Sequence, residues 1–203
     1  MSRYRVSELL SSNKNFINSF NLPVIGLDRD GTIIEDLGKY LTDPSEIIPI
    51  PGSIEAIKKV REKGHRLVIL TNQAGISKGI QTMQQVDSIH KSLLDIFGQN
   101  GITSIDGIYY ATSNLKDDIY AKPNIGMFNR VKDELKIDWK KGWYVGDKIT
   151  DLKAADKVGA KPVLVLTGHG KSTLEKLNTF ANRDLKKKTL VFENLLEFVN
   201  SLN

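Results

Sequence analysis

The chain has 203 residues, of which 40% are hydrophobic and 26% charged, a balance that suits one globular domain with a sizeable core and excludes a chain dominated by disorder. It has no cysteine, which excludes disulfides and cysteine-ligated zinc. No run of about 18 apolar residues marks a membrane span, and the N-terminus lacks the apolar stretch and cleavage site of a signal peptide, so a cytoplasmic protein with no membrane association is expected. The net charge of +5 favours anionic ligands through long-range attraction.

In chain order, residues 1–22 carry apolar positions at Val6, Leu9, Leu10, Phe16, Ile17 and Phe20 near helical spacing. They are expected to form an N-terminal extension packed on a body spanning 23–203. Strands are predicted near 23–27, 66–70, 106–111, 143–146 and 162–166, alternating with helices near 53–63, 82–99, 124–135 and 150–158. A last strand near 189–192 and a helix near 193–202 close the pattern. Such alternation implies an α/β fold, a parallel sheet with helices on both faces. Right-handed crossovers then place the strand carboxyl ends along one edge, where ligands bind at a topological switch point. The basic run Arg183-Asp184-Leu185-Lys186-Lys187-Lys188 lies far along the chain and lacks interleaved aromatics for base stacking. It reads as a solvated loop or helix face, and nucleic acid is disfavoured as a partner.

Four polar clusters fall at strand ends or helix starts. In Val24-Ile25-Gly26-Leu27-Asp28-Arg29-Asp30-Gly31-Thr32 an apolar strand ends in two carboxylates. Residues i and i+2 of extended backbone project to one side, so Asp28 and Asp30 are expected to converge on one small space, and Gly31 permits the turn that follows. One carboxylate can act as nucleophile and metal ligand, while the other donates a proton to the leaving oxygen and later activates water. The second cluster is Leu67-Val68-Ile69-Leu70-Thr71-Asn72-Gln73, the third Lys122-Pro123 before a helix, and the fourth Trp143-Tyr144-Val145-Gly146-Asp147-Lys148-Ile149-Thr150-Asp151. His65, His90 and His169 sit in no metal-ligand pattern and read as surface or packing residues. Gly168-His169-Gly170-Lys171-Ser172 imitates the end of a P-loop, but Val165 stands where the upstream glycine is required.

This ordered set, over roughly residues 23–170, resembles the haloacid dehalogenase superfamily of aspartate-nucleophile phosphatases. Asp28-Arg29-Asp30-Gly31-Thr32, Thr71-Asn72-Gln73-Ala74-Gly75-Ile76 and Gly146-Asp147-Lys148 are most similar to the heptose 1,7-bisphosphate and histidinol-phosphate phosphatase branch, the heptose side more closely. The resemblance implies a three-layer α/β/α Rossmann-like fold. Residues 33–51 suffice only for a flap and 74–121 only for one helix and one strand, so the chain reads as capless; a monomer is expected. It also implies Mg2+-dependent hydrolysis of a small phosphorylated substrate, a sugar phosphate, with Asp28 as nucleophile and Asp30 as general acid and base. Mg2+ would be held by Asp28, the backbone carbonyl of Asp30 and Asp147. Thr71 and Asn72 would donate to the phosphoryl oxygens and Lys122 would neutralise them. Gln73, Lys148, Asp36 and Lys39 are candidates for gripping the rest of the substrate, and Lys78 for reaching a distal phosphate. Asp151 either orients the metal shell or caps its helix.

The chain departs from the family in two places. The loop that holds zinc in many members is here Ala111-Thr112-Ser113-Asn114-Leu115-Lys116-Asp117-Asp118-Ile119-Tyr120-Ala121, with neither cysteine nor histidine, so no zinc is expected. Ala121 replaces the arginine that precedes the motif lysine, which removes a bidentate phosphate contact. Another small metabolite phosphate, a polynucleotide 3'-phosphate, or phospho-ligand binding without turnover therefore remain alternative readings.

Overall fold

The computed structural model describes residues 3–4 and 22–202. Its strands are β1 (Arg3–Tyr4), β2 (Val24–Leu27), β3 (Arg66–Asn72), β4 (Gly107–Ala111), β5 (Trp143–Gly146), β6 (Lys161–Val165) and β7 (Leu190–Phe192). Its helices are α1 (Ser53–Glu62), α2 (Met83–Gln99), α3 (Gly126–Leu135), α4 (Ile149–Val158), α5 (Gly170–Leu177), α6 (Arg183–Lys188) and α7 (Leu195–Asn200). The strands form one sheet in the order β1-β4-β3-β2-β5-β6-β7. β2 to β7 are parallel, and β1 pairs antiparallel with β4 at the edge.

The apolar runs of the central strands are buried on both faces, as a covered parallel sheet requires. Side chains alternate between the faces with period two. Ile25, Leu27, Leu67, Ile69, Val145 and Val163 join a core with residues of α1, α2 and α7, while Val24, Val68, Leu70 and Tyr144 join a second core with α3 and α4. A smaller third cluster gathers Leu152, Leu164, Leu177 and Leu185 from α4, β6, α5 and α6. On α2, Val86, Ile89, Leu93 and Phe97 recur at helical spacing and are buried, each contributing about 1.5–3 kcal/mol by leaving water. The same helix starts at a reciprocal cap: Thr82 Oγ1 accepts from Gln85 N (3.2 Å) and Gln85 Oε1 from Thr82 N (2.8 Å).

From β2 the chain moves outward to β3 and β4, then returns to the other side of β2 to lay down β5, β6 and β7. The switch point is therefore the crevice at the carboxyl ends of β2 and β5, which are followed by Asp28 and Asp147. Among the described residues no separate domain is inserted above it. Residues 33–51 form a flap held by bridges from Ile34 to Asp30 and Pro49 and by a 3-10 turn at Pro44–Glu46. Between β3 and β4 there is one helix, α2.

The strands and helices expected from 23 onward are present, and α5, α6 and β1 are additions. The basic run forms α6, with Leu185 turned into the core and Lys188 Nζ 2.6 Å from Asp156 Oδ1. The helix expected within 1–22 lies outside the described residues, apart from Leu22 and Arg3–Tyr4, the latter forming β1.

Candidate active site

At the ends of β2 and β5, Asp28, Asp147 and Asp151 are all buried and each presents a carboxylate oxygen within 4.8 Å of the others. Asp28 is fixed by its backbone N–H, which donates to Val145 O (2.9 Å). Its Oδ1 accepts from Arg29 N (2.8 Å) and lies 3.0 Å from Lys122 Nζ. Lys122, buried at the entry to α3, also reaches Asp151 Oδ1 (2.6 Å), Leu70 O (2.9 Å) and Tyr144 Oη (2.8 Å). Burial opposes its charge, but Asp151 and Asp28 outweigh burial and raise its pKa above the ordinary lysine value. Tyr144 donates onward to Leu70 O (2.6 Å). Burial, reinforced by the nearby carboxylates, keeps it a neutral phenol, with its pKa well above the usual value.

Asp147 is walled in by two glycines. A Cβ on Gly31 (φ +81°) would lie 2.2 Å from Asp147 Oδ2, and one on Gly168 (φ +53°) 2.4 Å from the same atom. Positive φ and close approach both demand glycine at these positions. Asp147 Oδ2 accepts from His169 N (2.8 Å). Oδ1 has no hydrogen-bond partner among the described residues and lies 4.0 Å from Lys148 Nζ. Burial, opposed by Lys148 and reinforced by Asp28 and Asp151, raises the Asp147 pKa to about 8. Burial, opposed by Lys122, raises that of Asp151 to about 6. Asp151 Oδ2 accepts from Lys148 N (3.0 Å), so Asp151 caps α4 and joins the carboxylate cluster at once. Three hard oxygen donors, one of them buried without a partner, match what a hard divalent cation such as Mg2+ requires.

Asp30 belongs to a second cluster. Both its oxygens accept from Arg29, Oδ1 from Nε and Oδ2 from Nη2, each at 3.0 Å. Gln73 Nε2 donates to Asp30 Oδ2 (3.1 Å) and to Thr71 Oγ1 (2.9 Å), while Gln73 Oε1 accepts from Arg29 Nη2 (3.0 Å). Arg29 Nη1 lies 3.0 Å from Nε2 of the buried His90. The guanidinium has only donors, so Nε2 accepts and the ring proton sits on Nδ1. Burial and the adjacent Arg29 charge hold the His90 pKa well below its usual value, consistent with that neutral form.

Over these clusters opens a cleft of about 690 Å³ whose lining includes Asp30, Lys39, Asn72, Lys116, Lys122 and Lys148. Lys148 reaches across to Asp36 Oδ2 (3.0 Å) on the flap, and His169 Nε2 meets the same oxygen at 3.2 Å. Lys39 is paired with Glu46, and Lys78 Nζ with Tyr40 Oη (3.0 Å).

Asp28, Asp147 and Lys122 thus come together as the sequence order implies, but Asp28 and Asp30 have different partners. Gln73 lines the cleft and directs its amide at Arg29, Asp30 and Thr71. Asn72 pairs with the main chain of Lys122, its Nδ2 donating to Lys122 O and its Oδ1 accepting from Lys122 N, both at 3.0 Å. Arg29, Tyr144 and His169 were not foreseen as site residues. Thr167, whose Oγ1 donates to Gly31 O at 2.6 Å, is a further addition. For Arg29 a signal existed: an arginine between two strand-end aspartates faces burial without a solvated exit.

A family model described as polynucleotide kinase 3 phosphatase matches residues 23–186. The D-glycero-beta-D-manno-heptose-1,7-bisphosphate 7-phosphatase of Neisseria meningitidis serogroup A is 34% identical over 178 residues, covering 87% of this chain and 92% of that protein. The histidine biosynthesis bifunctional protein HisB of Stenotrophomonas maltophilia is 33% identical over 140 residues, 68% of this chain and 39% of that longer protein. Among solved structures, the D,D-heptose 1,7-bisphosphate phosphatase of B. bronchiseptica, complexed with magnesium and phosphate, superposes with a TM-score of 0.80 at 29% identity, covering 88% of this chain and 97% of that one. The chain therefore belongs to the polynucleotide kinase 3 phosphatase family within the haloacid dehalogenase superfamily, and it is a phosphatase.

Proposed function

We propose that this phosphatase hydrolyses phosphomonoesters through a covalent aspartyl-phosphate on Asp28, with Mg2+ as cofactor and a sugar bisphosphate such as D-glycero-D-manno-heptose 1,7-bisphosphate as substrate. The observation that carries the reading is the convergence of Asp28, Asp147 and Asp151 on one buried space, with Lys122 bonded to two of them. The names of the relatives support the substrate class.

The hydrogen bonds to Asp28 fall on Oδ1, which leaves Oδ2 for attack on phosphorus. Lys122 sets a fixed positive charge beside the attacking carboxylate, where negative charge spreads over the phosphoryl oxygens. Thr71 Oγ1 accepts from Gln73, so its own proton is free to be donated to a phosphoryl oxygen. Asp30, at the cleft wall, gives its proton to the leaving oxygen and takes one from the water that opens the aspartyl-phosphate. Asp28, Asp147 and Asp151 would hold Mg2+ with the backbone carbonyl of Asp30. When bound, the ion neutralises a phosphate dianion that would otherwise meet several carboxylates at about 4 kcal/mol per pair at 4 Å and an effective dielectric near 20.

The test is phosphate release from both anomers of the heptose bisphosphate, from histidinol phosphate and from a 3'-phosphorylated oligonucleotide, with Mg2+ and with chelator. Wild type is expected to prefer a heptose bisphosphate and to stop without metal, and Asp28→Asn to be inactive while folded. Turnover by a verified Asp28→Asn preparation would remove the nucleophile assignment. The family description favours the oligonucleotide as second reading, and a preference for it would replace the sugar assignment.

A further inference from the structure

We infer that Arg29, His90 and Gln73 form a buried clamp that positions Asp30 for proton transfer, Arg29 and Gln73 at the wall of the cleft and His90 behind them, and that they act on the reaction through Asp30. The inference rests on the acid–base role proposed above for Asp30. Arg29 and Gln73 follow β2 and β3, and His90 comes from α2, so three elements converge behind one carboxylate. Every nitrogen of the Arg29 guanidinium has a partner at 3.0 Å: Nε on Asp30 Oδ1, Nη2 on Asp30 Oδ2 and Gln73 Oε1, Nη1 on His90 Nε2. The donors and acceptors leave one orientation for the Gln73 amide, its oxygen toward Arg29 and its nitrogen toward Asp30 and Thr71. Arg29 is 1% exposed and His90 fully buried, whereas the Asp30 side chain keeps 22% of its surface at the cleft.

A stabilising role alone accounts poorly for this arrangement. Replacing a buried ion pair with well-packed apolar side chains is often neutral or stabilising. What the planar fork supplies is direction, since two parallel N–H bonds fix the plane of the carboxylate and His90 fixes the plane of the fork. Proton transfer to a leaving oxygen is sensitive to that direction.

The experiment measures kcat/KM with Mg2+ for phosphate monoesters graded by leaving group, from 4-nitrophenyl phosphate to simple alkyl phosphates, in wild type, Arg29→Lys, His90→Leu and Asp30→Asn. His90→Gln keeps an acceptor and serves as the conservative variant. Loss of an aligned acid should slow alkyl esters by about a hundredfold and the nitrophenyl ester by less than about threefold, because a good leaving group needs no proton. Asp30→Asn should show the same tilt with greater amplitude, and His90→Gln should recover much of the alkyl rate. Equal losses across the series in Arg29→Lys and His90→Leu, or none, would overturn the clamp while leaving the role of Asp30 standing if Asp30→Asn tilts. If Asp30→Asn itself shows no tilt, the acid–base assignment fails, and the clamp with it.

Discussion

Removing the metal should make this protein less stable as pH rises from 7 to 8, the reverse of what most carboxylates do. Asp147 is buried beside Asp28 and Asp151, and its folded pKa is raised from 3.8 to about 8, that of Asp151 to about 6. Between those limits the folded chain holds protons that the unfolded chain has released. Stability therefore falls with rising pH, from 3.8 to about 6 through Asp151 and from 3.8 to about 8 through Asp147. Groups of the opposite sign act elsewhere. His90 and His65, with lowered pKa values, lose their contribution as pH falls through 6.5, and Asp36 and Glu46, also lowered, lose theirs in acid. The window from 7 to 8 is left mainly to Asp147, which is half-titrated near 8, so the change over that unit is about 1 kcal/mol, or roughly 2–4 °C in Tm for a domain of this size. Urea and thermal unfolding of chelated protein, followed by the fluorescence of Trp139 and Trp143, should show this slope. Mg2+ should flatten it by holding the carboxylates ionised, and Asp147→Asn should flatten it without metal. A chelated protein whose stability is level or rising between pH 7 and 8, or an Asp147→Asn variant with the wild-type slope, would refute the crowded-carboxylate argument.

Lys122→Met leaves Asp28 and Asp151 without their buried cation, so chelated protein should lose about 3–5 kcal/mol in urea unfolding, and kcat should fall by about a hundredfold or more; a loss under about 1 kcal/mol would count against the pairing. Gly168→Ala places a Cβ 2.4 Å from Asp147 Oδ2 and 2.5 Å from Gly31 Cα at a φ of +53°. It should weaken Mg2+ binding by about tenfold or more, read from the metal dependence of Tm; unchanged affinity would show that Asp147 does not depend on that wall. Elemental analysis should find no stoichiometric zinc and chelators should not unfold the chain through zinc loss, since the loop at 111–121 has neither thiol nor imidazole.

The sheet was legible because each central strand is an apolar run closed by a polar cluster, and the order of those runs dictates where their ends meet. Asp28 and Asp147 could be placed on that basis, and Lys122 by its position ahead of a helix. What strand position does not encode is side-chain direction. Asn72 and Gln73 were expected to face substrate from the resemblance; both line the cleft, and each amide also has an internal partner, the main chain of Lys122 for one and the Arg29–Asp30 pair for the other. Asp151 could not be divided between capping and the carboxylate cluster from sequence because it belongs to both, with Oδ2 accepting from Lys148 N and Oδ1 paired with Lys122 beside Asp28 and Asp147. α5 was not expected and α6 was left open between a loop and a helix face for a local reason: they have eight and six residues, and neither begins with a side-chain cap.

The altered loop before Lys122 changes more than one contact. Ala121 is 2% exposed and packs in the core with Met127 and Phe128 beneath α3, so its side-chain position points into the protein and a guanidinium there would have to displace the core to reach the cleft. In place of metal ligands the loop is held by its own polar groups. Ser113 Oγ accepts from Leu115 N (3.0 Å), Asp118 Oδ1 from Tyr120 N (2.9 Å), and Asn124 Nδ2 donates to Lys116 O (3.0 Å) and Asp118 O (2.9 Å). These bonds present Asn114 and Lys116 to the cleft. A lysine offers a strong point charge without the rigid fork of arginine. On the proposed sugar-bisphosphate reading, a loop built this way would attract the second anionic group while constraining its orientation less, and discrimination among leaving groups would fall to the flap and to Lys148 across the cleft.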